Sequence, residues 1–346
     1  MAIIQLPEYI YTGIDSISHI FDRECKKILI LSNTEVQKST SILADILKKA
    51  KKHSIKTNLI ISDNPSEMFT AIEENMLDEL PEIIVAVGDG KTIDCAMVAS
   101  SMSGIPYCAA PQSAPTVLWE NDSVEALVNK KVPLICILDP DMITRLNSVR
   151  IAYEGLGMLT ICAESFLTAE DRYIKSVAKA AFKRIYGNLF EAFKGEISAR
   201  ENLLDGMFWA YVAFVNSHEF SWESACYRFC DFLKPSGIDP ISLLAVSSVQ
   251  IIKNIYSENE YLLNELACET GASVQRELSS MYLVENIRRM RAAMSVPSCV
   301  KNLGVQEDCF LRMSEEISEE DRRLFAECYY SDYCSKTNID RVFIRS

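Results

Sequence analysis

The sequence predicts an α/β domain with a mostly parallel sheet, followed by an all-α domain. Through the first 150 residues, short apolar runs alternate with amphipathic stretches of helical spacing. From Ile151 onward, apolar residues recur almost entirely at helical spacing. Runs of Ile, Leu and Val that are apolar on both faces and separated by helices are typical of a parallel sheet covered on two sides. The predicted domains are therefore residues 1–150 and 151–346.

Individual elements follow from the same patterns. Five apolar runs predict buried strands: Lys27–Ser32, Thr57–Ser62, Glu82–Val87, Tyr107–Ala110 and Leu134–Leu138. Amphipathic stretches between them predict the helices Ser39–His53, Ser66–Leu77 and Thr92–Ser103. Helical spacing in the second half predicts Glu154–Phe166, Glu170–Phe193, Ser198–Ser217, Trp222–Leu233, Pro240–Tyr256, Glu258–Glu269 and Ser273–Met294. Ser318, with Asp321 three residues later, predicts the start of one more helix.

The charge and composition limit the possible partners. A formal net charge of -13 disfavours nucleic acid and anionic membrane surfaces, because both repel an acidic protein. We expect a small-molecule substrate, and the sequence leaves open whether the chain forms a homo-oligomer. The sequence shows neither a signal peptide nor an apolar run of about 18 residues, and its twelve cysteines include no Cys-x-x-Cys pair. These features predict a cytoplasmic protein with free thiols.

A glycine turn between a buried strand and a helix is the main candidate for ligand binding. It contains Gly88, Asp89, Gly90, Lys91 and Thr92, with Asp94 in the first turn of the predicted helix. Glycines let backbone amides approach a ligand, and a helix N-terminus attracts phosphate. The turn matches neither the nucleotide-triphosphate loop, which needs a glycine at the position of Val85, nor the dinucleotide fingerprint, which needs one at the position of Ile93. A turn without ligand is the alternative.

The turn resembles the Gly-Gly-Gly-Ser/Lys-x-x-Asp loop of the superfamily that contains the iron-containing alcohol dehydrogenases, glycerol dehydrogenases, glycerol-1-phosphate dehydrogenases and dehydroquinate synthases. Other segments follow in the family's order: Gly13, KILILS at 27–32, Pro111, PLICILDPD at 133–141, and Glu154-Gly155-Leu156-Gly157 through Glu164-Ser165-Phe166. The resemblance covers about residues 8–270, and Lys91 makes it closest to the glycerol-type and glycerol-1-phosphate-type branches. It implies a dehydroquinate synthase-like fold with a Rossmann-like, NAD(P)-binding first domain.

The resemblance also implies a divalent metal, held by one aspartate and two or three histidines, which polarises the substrate oxygen. The corresponding positions carry other residues here: Gly157, Ile161, Tyr227 or its neighbour Cys226, and Asp239-Pro240. The whole chain has only His19, His53 and His218. We therefore predict that no metal is bound. An oxygen-only site built from Asp239 and Glu223 with either Glu154 or Glu164 is the less favoured alternative.

The implied cofactor contacts are also altered. Gln112 replaces a cofactor-contacting threonine, Val117 replaces a substrate-binding aspartate, and Asp89 brings a negative charge close to a pyrophosphate. Asn33 stands where relatives often keep an acid that binds the adenosine ribose, and a neutral residue there does not repel a 2′-phosphate. The resemblance therefore implies NAD or NADP without a preference between them.

Three residues are candidates for catalysis without a metal. His218 would donate a proton, and Tyr227 and Arg228 would donate to a substrate oxygen or an anionic group. The alternative for each is an ordinary position at the end or rim of a helix. The sequence accordingly supports three functions: a metal-independent NAD(P)-dependent oxidoreductase acting on a small polar alcohol or carbonyl, a relative with different chemistry on a specialised metabolite, and a non-catalytic relative that binds a nucleotide or a partner protein.

Overall fold

The chain forms two compact units, Met1–Leu146 and Asn147–Ser346. The computed structural model describes residues 6–112, 132–217, 224–258, 260–271, 279–315 and 317–330. The division falls a few residues before the predicted boundary at residue 150, where Ser148 begins a long helix. Within the described residues, none of the helices combines the length and hydrophobicity that a bilayer-spanning segment requires.

The first unit contains a parallel sheet of six strands. The strands are β1 Tyr9–Thr12, β2 Lys27–Ser32, β3 Lys56–Ile61, β4 Ile83–Gly88, β5 Tyr107–Pro111 and β6 Ile135–Leu138. The helices are α1 Thr34–Ser39, α2 Ile42–Lys52, α3 Pro65–Asp78, α4 Gly90–Ser103 and the short α5 Asp141–Thr144, and a 3-10 helix spans Ser16–Asp22. All neighbouring strands pair in parallel, so the predicted parallel α/β fold is confirmed.

The strand order explains where ligands can bind to this unit. The order is β1-β6-β5-β4-β2-β3, so the chain leaves β2 toward β3 on one side and returns to β4 on the other. Every residue of β2 and β4 is buried, which accounts for their apolar runs. In parallel sheets of this kind, ligands bind outside the carboxyl ends of the strands where the order reverses. The gap between the ends of β2 and β4 is that place.

In its described residues the second unit consists of helices and contains no strand, as predicted. The α-helices are α6 Ser148–Thr168, α7 Arg172–Lys194, α8 Ile197–Ser217, α9 Ala225–Leu233, α10 Pro240–Glu258, α11 Glu260–Glu269, α12 Ser279–Ala293, α13 Glu307–Ser314 and α14 Glu319–Tyr330. The predicted capping serine is confirmed, because Ser318 Oγ accepts the N–H of Asp321 at 3.1 Å and α14 begins at Glu319. Helix α13 and strand β1 were not predicted, since both are short and partly exposed.

Helix α6 forms the centre of the helical unit. It is buried almost continuously from Ile151 to Leu167 and packs against α7, α8 and α10. A helix that is apolar on nearly all sides is stable only when other elements cover it, and these three helices cover α6. Glycines also allow other helices of this unit to approach one another closely. A Cβ added at Gly206 in α8 would lie 2.9 Å from Cγ1 of Ile185 and 3.2 Å from its backbone nitrogen in α7.

Gly206 and Gly187 both lie in helices, but only Gly206 is in close contact with a neighbouring helix. We expect Gly206→Ala to lower the free energy of unfolding by about 1–3 kcal/mol, because the branched Ile185 side chain has little freedom to move away. Gly187 is exposed in α7 with nothing within 4 Å of an added Cβ, so Gly187→Ala should raise stability by about 0.5–1 kcal/mol. Urea unfolding followed by circular dichroism measures both. Stabilisation by both substitutions would contradict the close α7–α8 packing.

Candidate functional site

Three predicted cofactor-binding positions meet at the carboxyl edge of the sheet. Asn33 follows β2, Gly88 ends β4, and Gln112 follows β5, which are consecutive neighbours in the order β5-β4-β2. The backbone N–H of Gln112 donates to the carbonyl of Gly88 at 2.7 Å. The sheet therefore brings together residues that are far apart in the sequence.

The glycine turn is closed around its own helix. A Cβ at Gly88 would lie 2.8 Å from Oγ1 of Thr92, so the close turn needs a glycine there. Asp89 is the N-cap of α4, and its Oδ1 accepts the N–H of Thr92 at 3.1 Å and the hydroxyl of Thr92 at 2.9 Å. A carboxylate in this position stabilises the positive end of the helix. A ligand phosphate approaching the start of α4 would have to compete with Asp89 for these donors.

A narrow crevice next to the turn includes a carboxylate that the sequence analysis missed. It has room for roughly one water molecule, and it is lined by Ser62, Asp63, Pro65, Met68, Asp89, Lys91, Thr92 and Cys95. Asp63 accepts the backbone N–H of Thr34 at 2.9 Å and also the Thr34 hydroxyl. The hydroxyl bond, the backbone bond and then the charges of Lys38 and Lys91 lower the pKa of Asp63. Asp63 follows β3, which neighbours β2 at the point where the strand order reverses. Its place just after a predicted strand could have marked it as a candidate site residue.

Asn33 and Gln112 are both buried at this edge but differ in their bonding. Asn33 is the N-cap of α1, and its Oδ1 accepts the N–H of Val36 at 2.9 Å. Gln112 is fully buried, and neither its Oε1 nor its Nε2 has a hydrogen-bond partner among the described residues. Leaving a buried polar group unsatisfied costs about 1–3 kcal/mol, so this amide needs a partner that those residues do not supply. Asp94, also predicted to bind the cofactor, is buried in α4.

In the helical unit, the predicted position of the metal-binding aspartate has no space for a side chain. A Cβ added at Gly157 in α6 would lie 2.9 Å from the backbone carbonyl oxygen of Ile241 in α10. Ile161, one turn further along α6, is buried in the core. The contact between α6 and α10 therefore occupies the place where the first metal ligand would stand.

Glu164 is fully buried, and its carboxylate binds the start of α9. Its Oε2 accepts the hydroxyl of Ser224 at 2.7 Å, and its Oε1 accepts the N–H groups of Ala225 at 2.5 Å and Cys226 at 3.3 Å. Ser224 Oγ in turn accepts the N–H of Tyr227 at 3.0 Å. The charge is compensated by the positive end of the helix and by three donors. Glu164 is therefore a helix-capping residue that joins α6 to α9.

The other predicted positions in this unit also have structural partners. Asp239 Oδ2 accepts the N–H and the hydroxyl of Ser242, both at 3.1 Å, at the start of α10. Burial raises the pKa of the Cys226 and Cys230 thiols well above the ordinary value, which keeps them protonated at neutral pH. No group of three or more His, Cys, Asp or Glu side chains suited to a metal ion occurs in the part of the chain that the structure describes.

The candidate catalytic residues are not assembled into one group by the described residues. Arg228 forms an ion pair with Asp321 of α14, in which Nε lies 3.1 and 3.2 Å from the two carboxylate oxygens. Tyr227, next to it on α9, is half-buried. His218, Glu223 and Val117 lie outside the described residues. Arg228 thus ties α9 to α14, a role that sequence spacing could not indicate.

The fold matches that of known enzymes along the whole chain. A 1,3-propanediol oxidoreductase superposes with a TM-score of 0.77 at 17% identity, covering 100% of this chain and 99% of the other. An iron-containing alcohol dehydrogenase from Thermococcus thioreducens superposes with a TM-score of 0.76 at 18% identity, covering 99% and 98%. The chain has the iron-containing alcohol dehydrogenase fold. The resemblance predicted from the sequence is thereby confirmed at the level of the fold.

Proteins related to this chain in sequence are also alcohol dehydrogenases. An alcohol dehydrogenase from Thermococcus barophilus is 24% identical over 274 residues, which cover 69% of this chain and 70% of the relative. An NADPH-dependent butanol dehydrogenase from Clostridium saccharobutylicum is 20% identical over 352 residues, which cover 91% and 90%. No protein-family model matches the chain.

The bonds of Asp63 lead to a prediction about pH. Because the folded-state pKa of Asp63 is lowered, its contacts with Thr34 stabilise the fold above the ordinary value of 3.8, and this contribution is lost as the pH falls through the lower folded value. We expect Asp63→Asn to lower the melting temperature at pH 7 and the difference from the parent to shrink toward pH 3.5. Asp78→Asn, at an exposed carboxylate that ends α3, is the control. A difference that stays constant with pH would contradict this role of Asp63.

Proposed function

We propose that the chain is an NAD(P)-dependent oxidoreductase that acts on a small polar alcohol or carbonyl compound without a bound metal. The observation that carries the proposal is the carboxyl edge of the sheet, where the glycine turn, Asn33 and Gln112 lie at the reversal of strand order. The relatives support the reaction class, since they are alcohol dehydrogenases and one is NADPH-dependent. Lys91 favours a substrate of the glycerol type, by resemblance to that branch.

The residues at this edge fit a dinucleotide in several respects. Gly88 and Gly90 let a pyrophosphate approach the backbone, and Lys91 supplies a positive charge. The Gln112 amide has both a donor and an acceptor to offer. Asn33 is neutral, so NADP is accommodated as readily as NAD. A bound nicotinamide would supply or accept the hydride, and the protein would hold and orient it.

The metal of the family fits this chain poorly. Iron and zinc sites ordinarily use imidazole or thiolate ligands, and the predicted ligand positions in the described residues offer Gly157, Ile161, Tyr227 or Cys226, and Asp239 instead. Tyr227, whose phenol can donate a hydrogen bond, is the candidate for contacting the substrate oxygen in place of the metal, and Arg228 forms an ion pair with Asp321. His218 is the remaining candidate for proton transfer.

A second function is favoured by one specific observation. Asp89 already places a carboxylate on the first amides of α4, which opposes binding of a pyrophosphate there. This favours a non-catalytic or repurposed relative that binds a neutral or singly charged metabolite, or a partner protein. For either function we propose a cytoplasmic protein that binds neither nucleic acid nor membranes. Both functions are compatible with a homo-oligomer.

Calorimetric titration with NADH and NADPH tests the proposal. We expect the parent to bind at least one of them weakly, and Lys91→Ala to weaken binding by about tenfold, as for the loss of a charged contact of roughly 1.5 kcal/mol. Lys52→Ala, at an exposed lysine that ends α2, should leave binding unchanged. Turnover of glycerol or 1,2-propanediol, measured with and without EDTA, then tests catalysis and its independence of metal.

Two variants of Asp89 separate its charge from its capping role. Asp89→Asn keeps an oxygen that can cap α4 but removes the charge, and Asp89→Gly removes both. Both should bind the cofactor more tightly than the parent, and Asp89→Gly should also be slightly less stable. If the parent binds neither cofactor and Asp89→Gly restores binding, the oxidoreductase proposal fails and the repurposed relative becomes the better account.

A further inference from the structure

We infer that the residues between helices α6, α9 and α10 do not fit a divalent ion, because the glycine contact at Gly157 and the carboxylate of Glu164 join these helices through groups of the chain itself. The inference rests on the metal-free part of the proposed function. It goes beyond it by assigning the joining role to named residues of the helical unit.

The first observation is the contact between α6 and α10. The carbonyl oxygen of Ile241 stands 2.9 Å from the point that a Cβ at Gly157 would occupy. An aspartate there would clash with the backbone of α10, which cannot move aside as a flexible side chain can. Restoring the ligand would therefore require α10 to separate from α6, and the hydroxyl of Thr160 in α6 also donates to the carbonyl oxygen of Leu244 in α10 at 3.4 Å, with both residues fully buried.

The second observation is that the carboxylate of Glu164 points toward hydrogen-bond donors at the start of α9. Its two oxygens face the hydroxyl of Ser224 and the N–H groups of Ala225 and Cys226. These donors are the positive end of α9, which attracts an anion and repels a cation. A metal ion bound by Glu164 would have to displace these donors and would lie against the positive end of the helix.

The third observation is that Asp239 is engaged at the start of its own helix. Asp239 lies at the predicted position of another metal ligand, and its Oδ2 accepts the N–H and the hydroxyl of Ser242, both at 3.1 Å, in the first turn of α10. Glu164 thus fixes the start of α9 to α6, and Gly157 lets α10 approach α6. These two contacts join the three helices through groups of the chain itself.

Thermal unfolding tests the role of Glu164. We expect Glu164→Ala to lower the melting temperature by about 5 °C or more, because it leaves buried donors without their acceptor. Glu164→Gln, which keeps an acceptor but loses the charge, should lie between this variant and the parent and remain folded. Glu170→Ala, at an exposed glutamate just beyond the end of α6, should change little. Equal melting temperatures for Glu164→Gln, Glu164→Ala and the parent would overturn the inference.

Metal titration tests the inference that no divalent ion binds between these helices. The melting temperature of the parent should be the same after EDTA treatment, with excess zinc chloride and with ferrous sulfate under anaerobic conditions, and dialysed protein should retain neither metal. Gly157→Ala and Gly157→Asp should both be destabilised, and Gly157→Asp should gain no metal. A rise in melting temperature with either metal, or stoichiometric retention, would overturn the inference. Failure of NADH and NADPH to bind would defeat the proposed function but leave these results unaffected.

Discussion

The buried carboxylate of Glu164 is the interaction on which the helical unit depends. A carboxyl group that is 1% exposed is tolerated only when its oxygens have hydrogen-bond partners, and here the hydroxyl of Ser224 and two amides at the start of α9 provide them. Removing either side would leave the other buried and unsatisfied. The position of α9 relative to α6 follows from this requirement, and with it the positions of Tyr227 and Arg228 on α9.

Carboxylates at helix starts recur in both units but have different consequences. Asp239 at α10 strengthens a helix whose start is packed in the protein. Asp89 at α4 occupies donors that a ligand phosphate would otherwise use. The physical interaction is the same in both cases, an anion at the positive end of a helix. Its effect on function depends on whether that end belongs to the core of a unit or to the carboxyl edge of the sheet.

The sequence predicted the fold more completely than the site, for physical reasons that particular residues show. Strands such as β2 and β4 are buried on both faces, so their apolar runs stand out, whereas β1 is short, partly exposed and was missed. The glycine turn was found because a turn is local. The contact of Gly157 with Ile241 and the pair of Arg228 with Asp321 were not foreseeable, because each joins residues that only the packing of distant helices brings together.

The two units differ in what an altered residue can do to function. In the sheet unit, Asn33, Asp89 and Gln112 set the charge and bonding at the carboxyl edge of the sheet, while the glycine turn keeps its backbone form. In the helical unit, Gly157 removes the space for a ligand side chain, and single substitutions do not restore that space while α10 remains in contact with α6. A substitution at the carboxyl edge of the sheet thus alters the charge and bonding offered to a ligand, whereas a substitution at Gly157 meets the packing of α6 against α10. A fold does not determine function once its site has been rebuilt, so the side chains that each unit offers decide the activity.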